Sequence, residues 1–179
     1  MNGDTSLLLL DAQINMFDPS EPVFGAQHLL ETLQSLLAKT RASNIPVVYI
    51  QNNGSEGYPD QPNTPGWFIH PSIAPQKEDL IFQKTSPDAF HKTALHRELQ
   101  SCGIRRLIVA GMQCELCIDA TCRHAVDLGY QVTLVGDAHS TFDSEGAPAE
   151  KVIAQTNQEL STLVQIRLSG DLFSLLWVE

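Results

Sequence analysis

Residues 105–130, RRLIVAGMQCELCIDATCRHAVDLGY, join a β-type run directly to a helical one. Leu107-Ile108-Val109-Ala110 has the length and β-branching of a buried strand, and Gly111 ends it. From about Glu115 the apolar residues Leu116, Ala120, Ala125 and Leu128 recur at helical spacings. Gly129 stands where a helix C-cap glycine belongs. A strand that is apolar throughout must be covered on both faces, and the helix that follows it supplies part of one cover.

The same alternation runs through the chain. SLLLL at Ser6–Leu10 reads as a central strand with Asp11 at its C-terminal tip. Gln27–Arg41 carries leucines at helical spacing and predicts an amphipathic helix, and Val47–Ile50 predicts a second buried strand. The 52–75 stretch is the longest irregular segment, rich in Gly, Pro and Asn, and carries Tyr58, Trp67, Phe68 and His70. A loop of that length in a compact domain is either functional, as a lid or partner-facing surface, or a packed surface loop with an aromatic anchor. Beyond it we expect an extended run at Asp79–Lys84, a helix at Ala94–Cys102 and a strand at Gln131–Val135 ending near Asp137. A helix at Pro148–Leu160, a short strand at Thr162–Ile166 and a terminal helix at Gly170–Trp177 complete the pattern. Strands alternating with helices predict a three-layer α/β/α fold: a mainly parallel, Rossmann-like sheet joined by right-handed crossovers. With 179 residues and no internal boundary, the expectation is one domain over residues 1–179.

Composition narrows the function class. The formal net charge is -10, and Arg105-Arg106 is the strongest basic cluster, which argues against nucleic acid as partner. An acidic surface argues against anionic membranes, and no apolar run approaches the ~20 residues of a membrane span. The N-terminal MNGDTSLLLLDAQ lacks a basic n-region, so no secretory signal and a cytoplasmic location are expected. In that compartment Cys102, Cys114, Cys117 and Cys122 should be thiols.

Cys117 falls in the first turn of the predicted helix, where free N–H groups and the helix dipole favour negative charge. A lowered thiol pKa would make it a nucleophile, and the same N–H groups suit an oxyanion. The alternative is a small buried apolar residue. Asp11, Lys84, Cys117 and Asp137 all end extended runs or begin the turn after one, and in an open parallel sheet those ends share one edge, where ligands bind. An acid, a cation and a thiol there are the parts of an activated cysteine. Asp11 would take the thiol proton and return it to a leaving amine, and Lys84 would stabilise the charged forms. A strand-tip carboxylate can equally cap nearby N–H groups, and a lone lysine is more often solvated. Asp137 reads as a loop-organising acid.

Taken together, Leu8-Leu9-Leu10-Asp11-Ala12-Gln13 with Phe17, Phe82-Gln83-Lys84 with Ser86 and Phe90, Ile108-Val109-Ala110-Gly111 through Cys117-Ile118, Ala125, Gly129-Tyr130 and Val135-Gly136-Asp137-Ala138 resemble the isochorismatase-like cysteine hydrolase superfamily. The resemblance covers nearly the whole chain. It implies a triad of Asp11, Lys84 and Cys117, a non-proline cis peptide at Met112-Gln113, and an oxyanion hole from the backbone N–H groups of Gln113 and Cys117. It also implies a dimer or tetramer, with the 52–75 loop as a candidate interface. Phe17, Trp67 and Ile118 are expected to line the substrate pocket. Where nicotinamidases of the superfamily carry an Asp-x-His…His metal site, this chain has Gln51-Asn52-Asn53-Gly54, so no metal and no cofactor are expected. Enzymes acting on isochorismate's vinyl ether do not use the cysteine, so Cys117 points to C–N hydrolysis of a small amide, ureido or carbamoyl substrate. Cys114 stands where relatives often have Thr, and the 144–150 region lacks a His common among them.

Three rivals follow from the same residues. Cys114-x-x-Cys117 at a helix start invites a thiol-redox role, although the strand order differs and no cis-proline loop is apparent. Cys114, Cys117, Cys122 and His124 form no paired-ligand knuckle, and Cys117 and Cys122 point apart on one helix, which disfavours zinc. A non-catalytic binding protein on the same fold is the third.

Overall fold

The computed structural model of the chain describes residues 3–144 and 146–175. Six parallel strands form the sheet: β1 (Thr5–Leu10), β2 (Val47–Asn52), β3 (Leu80–Lys84), β4 (Arg106–Met112), β5 (Gln131–Ser140) and β6 (Gln165–Arg167). Their order across the sheet is β3-β2-β1-β4-β5-β6. Among the described residues five α-helices accompany them: α1 (Ala26–Ala42), α2 (Leu95–Ser101), α3 (Asp119–Asp127), α4 (Ala149–Leu160) and α5 (Leu172–Leu175).

Successive strand residues face opposite sides, so each strand feeds two cores. Leu7 and Leu9 of β1 pack with Tyr49, Ile108 and Ala110 against Leu29, Leu33, Leu36 and Leu37 of α1. Leu8 and Leu10 pack with Val48, Ile50 and Val109 against Leu95 and Leu99 of α2, Cys122 and Ala125 of α3, and Leu160 of α4. All six residues of β1 are buried, as an apolar run at the centre of a two-faced sheet requires.

The chain runs outward from β1 through β2 to β3, then returns to lay β4 on the other side of β1. That reversal makes the β1/β4 boundary a topological switch point, where a crevice opens beyond the strand ends. Gly111 permits the close approach there. Its φ is +121°, and a Cβ at this position would come within 2.0 Å of the Leu10 carbonyl oxygen.

Several boundaries differ from the sequence expectation. The expected strand at Thr162–Ile166 is displaced to Gln165–Arg167, because Leu163 and Val164 still donate to the Leu160 carbonyl and continue the end of α4. β5 runs on to Ser140: the register against β4 shifts between Val109 and Gly111, so the strand bulges and resumes. Asp137 lies in that bulge rather than at a tip, and its carboxylate accepts from the Ser169 N–H and hydroxyl, each at 2.8 Å. Of the expected terminal helix, Leu172–Leu175 is seen, and positions 176 and 177 lie outside the described residues. Among the described residues no helix is long and apolar enough to cross a membrane.

Candidate active site

Three strand ends meet at the switch point. Asp11 follows β1, with its N–H tied to the Ile50 carbonyl at 2.8 Å. Its φ of +50° places it in the left-handed region, which Asp tolerates better than most residues. Lys84 ends β3, two strands away, and its long side chain crosses the tip of β2. Its Nζ lies 2.9 Å from Asp11 Oδ2, and both side chains are at most 1% exposed. The same Nζ lies 3.2 Å from Cys117 Sγ and 3.3 Å from Asn52 Oδ1.

Cys117 is not in the first turn of a regular α-helix. The Met112–Gln113 peptide is cis, and residues 114–118 form a wider turn in which the Ile118 N–H donates to the Gln113 carbonyl at 3.1 Å. Such wide turns recur at functional sites. Only then does α3 begin, at Asp119. Glu115 fastens the turn: its Oε1 accepts from Thr141 Oγ1 at 2.7 Å and its Oε2 from the Cys114 thiol at 3.2 Å. Cys114, the first cysteine of the C-x-x-C spacing, is thus turned to Glu115.

The electrostatics correct one expectation. Burial, and next the negative charge of Asp11, push the Cys117 thiol up to about 12, although Lys84 opposes the shift. Both effects favour the protonated thiol near neutral pH, because Lys84 is already balanced by Asp11 and the half-buried Cys117 has lost part of its solvation. Burial also raises the Asp11 pKa, against the lowering pull of Lys84. For Lys84, burial disfavours the charge, but Asp11 and Cys117 outweigh it and the net direction is up. Asp11 is therefore a stronger base than an ordinary carboxylate, and its Oδ1 is buried without a hydrogen-bond partner among the described residues.

A crevice of about 570 Å³ opens onto this group, with Gln113 and Cys117 in its wall. Phe17, Trp67 and Ile118 do not line it. Phe17 turns its ring to His70, with centroids 5.1 Å apart. Trp67 Nε1 donates to Asn53 Oδ1 at 2.8 Å, and its carbonyl accepts from Gln13 and Gln51. Ile118 is fully buried in the core beneath the turn. The wall includes instead Asn15, Asn52, Tyr58, Asp60, Leu116 and Phe142, which sequence periodicity does not distinguish. The 52–75 loop supplies Tyr58 and Asp60 and is pinned: Asn52 Nδ2 donates to Asp60 Oδ2 at 2.6 Å, and the Gly54 N–H to the Asp60 carbonyl at 2.9 Å. A Cβ on Gly54 would stand 2.0 Å from Asp60 Oδ1, so glycine is needed for the loop to fold in. Its Gly/Pro/Asn content was the only sequence signal for this wall. Among the described residues no group of three His, Cys, Asp or Glu is placed to hold a metal ion.

An open parallel α/β sheet carrying a thiol, a lysine and a carboxylate at its switch point defines the class of protein. The chain belongs to the isochorismatase family: residues 5–166 match the family model for the isochorismatase domain. It is 38% identical over 143 residues to a streptothricin hydrolase of Streptomyces noursei, covering 80% of this chain and 52% of that protein. The chain thus spans about half the length of that hydrolase. It is 25% identical over 158 residues to the ureidoacrylate amidohydrolase RutB of Variovorax paradoxus, covering 72% of this chain and 62% of that one. The solved structure of an isochorismatase hydrolase from Oleispira antarctica superposes with a TM-score of 0.91 at 31% identity, covering 97% and 98% of the two chains.

Proposed function

We propose that this protein is a cofactor-free amidohydrolase that cleaves a C–N bond of a small amide, ureido or carbamoyl compound through a thioester on Cys117. The observation that carries the reading is the buried Lys84 ammonium, held 2.9 Å from Asp11 and 3.2 Å from Cys117. The names of the streptothricin hydrolase and ureidoacrylate amidohydrolase relatives support hydrolysis of this kind.

Because the thiol is protonated at rest, its proton must leave as sulfur attacks. Asp11 receives it while the S–C bond forms, and Lys84 balances whichever partner carries the charge. The carbonyl electrons move onto oxygen, toward the backbone N–H groups of Gln113 and Cys117. Collapse of the tetrahedral adduct re-forms the carbonyl and breaks the C–N bond. Asp11 returns its proton to the departing nitrogen. Water then attacks the thioester, with Asp11 taking a proton from it, and the acid is released as the thiol is restored. A base with an elevated pKa suits both transfers near neutral pH.

A panel of small amides, quenched during turnover and read by intact-protein and peptide mass, should show an acyl adduct on Cys117. Cys117→Ala should abolish turnover. An adduct confined to another cysteine, or activity surviving in Cys117→Ala, would overturn the proposal. A reversible Cys114–Cys117 disulfide required for function would favour the redox alternative.

A further inference from the structure

A nucleophile and its base do not account for the composition of the crevice wall. Among the described residues lining it, four carboxylates, Asp11, Asp18, Glu21 and Asp60, face one cation, Lys84. That cation is fully engaged: an ammonium has three N–H groups, and Asp11, Cys117 and Asn52 receive them. Nothing of Lys84 remains to hold an anionic substrate. Asn52 is partly engaged: its amide oxygen accepts from Lys84, and one N–H of its NH₂ donates to Asp60.

The buried wall atoms left without a partner among the described residues are acceptors: Asn15 Oδ1 and Asp11 Oδ1, of which only Asp11 has the thiol proton to receive. Asp60 is 9% exposed and belongs to the same wall. Its charge reaches Asp11, where it adds to the upward shift of that carboxyl. Among the described residues Asp60 accepts from the neutral Asn52 amide and no ion pair is seen to balance its charge, so a cationic ligand group would be favoured beside it. Tyr58, 64% exposed at the mouth, offers an aromatic face to a passing cation.

We propose that the crevice selects small amides bearing a protonated amine, whose N–H groups are received by the Asp60 carboxylate and the Asn15 side-chain oxygen while Cys117 faces the carbonyl. This rests on the hydrolase reading above and names its substrate class. Asp60 and Asn15 are then specificity-determining residues, and carboxylate-bearing amides are rejected by the same wall.

Matched electrophilic amides test this without knowledge of the substrate. N-(2-aminoethyl)-, N-(2-hydroxyethyl)- and N-(2-carboxyethyl)-2-chloroacetamide share the electrophile and differ in a tail end that is cationic, neutral or anionic. In each, Sγ displaces chloride: a C–S bond forms, the C–Cl bond breaks, and the thiol proton passes to Asp11 or solvent. The readout is the rate at Cys117 by peptide mass, divided by the rate at exposed Cys102 in the same sample. The aminoethyl compound should exceed the hydroxyethyl one by about tenfold or more, as one charge-assisted hydrogen bond implies. The carboxyethyl compound should be slowest. The aminoethyl/hydroxyethyl ratio should fall toward one in Asp60→Asn, and in Asn15→Leu should one variant fail to fold; added salt should compress it in the unaltered protein. Equal aminoethyl and hydroxyethyl rates at Cys117, a faster carboxyethyl compound, or a ratio unchanged in Asp60→Asn would overturn the specificity and leave the hydrolase reading standing. No labelling of Cys117 while Cys102 reacts would overturn both.

Discussion

Replacing Lys84 with Met removes the cation from a pair in which neither side chain is more than 1% exposed. Breaking a buried pair by deleting one partner costs about 3–5 kcal/mol, because the remaining charge is left in a poor dielectric. Here the remaining charge can be quenched by a proton. Lys84 lowers the Asp11 pKa against the stronger upward push of burial, so its loss raises that carboxyl further above the ordinary 3.8. A carboxyl raised in the folded state makes the fold bind more protons than the unfolded chain, so stability falls as pH rises through the folded pKa. The variant carries this penalty to higher pH than the unaltered protein. The difference between the two therefore opens above the pH at which Asp11 ionises in the unaltered protein, by at most ~1.4 kcal/mol per pH unit. Urea unfolding at pH 8 should show the full loss of about 3–5 kcal/mol, and at pH 5 a clearly smaller one. Asp11→Asn combined with Lys84→Met should recover much of the loss, since no buried charge is then left unpaired. An equal loss at pH 5 and pH 8, or a loss under about 1 kcal/mol at pH 8, would refute the picture of a buried, mutually dependent pair.

Two further outcomes follow from the geometry. With the Cys117 thiol pushed up to about 12, the ultraviolet thiolate absorbance lost in Cys117→Ser should still be growing at pH 9 in the unaltered protein; a plateau near neutrality would contradict a protonated resting thiol. Gly111→Ala should cost about 3 kcal/mol or more in urea titrations, since φ is +121° and the new methyl would meet the Leu10 carbonyl oxygen at 2.0 Å; an unchanged midpoint would contradict the close β1–β4 approach.

Local pattern was enough to place the parts. Leu7–Leu10 and Leu107–Ala110 are apolar at every position, and a strand that must be covered on both sides announces itself in composition. The reactive residues were legible for the same reason: parallel strands bring their C-terminal ends to one edge, so Asp11, Lys84 and Cys117 were expected there together with Asp137, which the β5 bulge turns to Ser169 instead. Boundaries that depend on a neighbour were less legible. The β5 bulge exists because β4 and β5 resume pairing three residues out of step, which no property of β5 alone encodes.

Charge state and selectivity belong to the tertiary structure. The sequence placed Cys117 at a helix start and implied an ionised sulfur, but a pKa reports burial and neighbours. Here burial and Asp11 outweigh both Lys84 and the turn. Phe17, Trp67 and Ile118 are apolar, as pocket walls often are, yet the fold assigned them to aromatic contacts, loop bonding and core. The wall that did form draws Asn15, Asn52, Asp60 and Phe142 from three separate segments, and only three-dimensional packing could bring them together. The sequence by itself determined which elements form and which reactive groups share an edge, because those follow from periodicity and strand direction. Which groups are buried, charged or left without a partner was decided by the folded chain, because desolvation and hydrogen bonding depend on atoms distant in sequence.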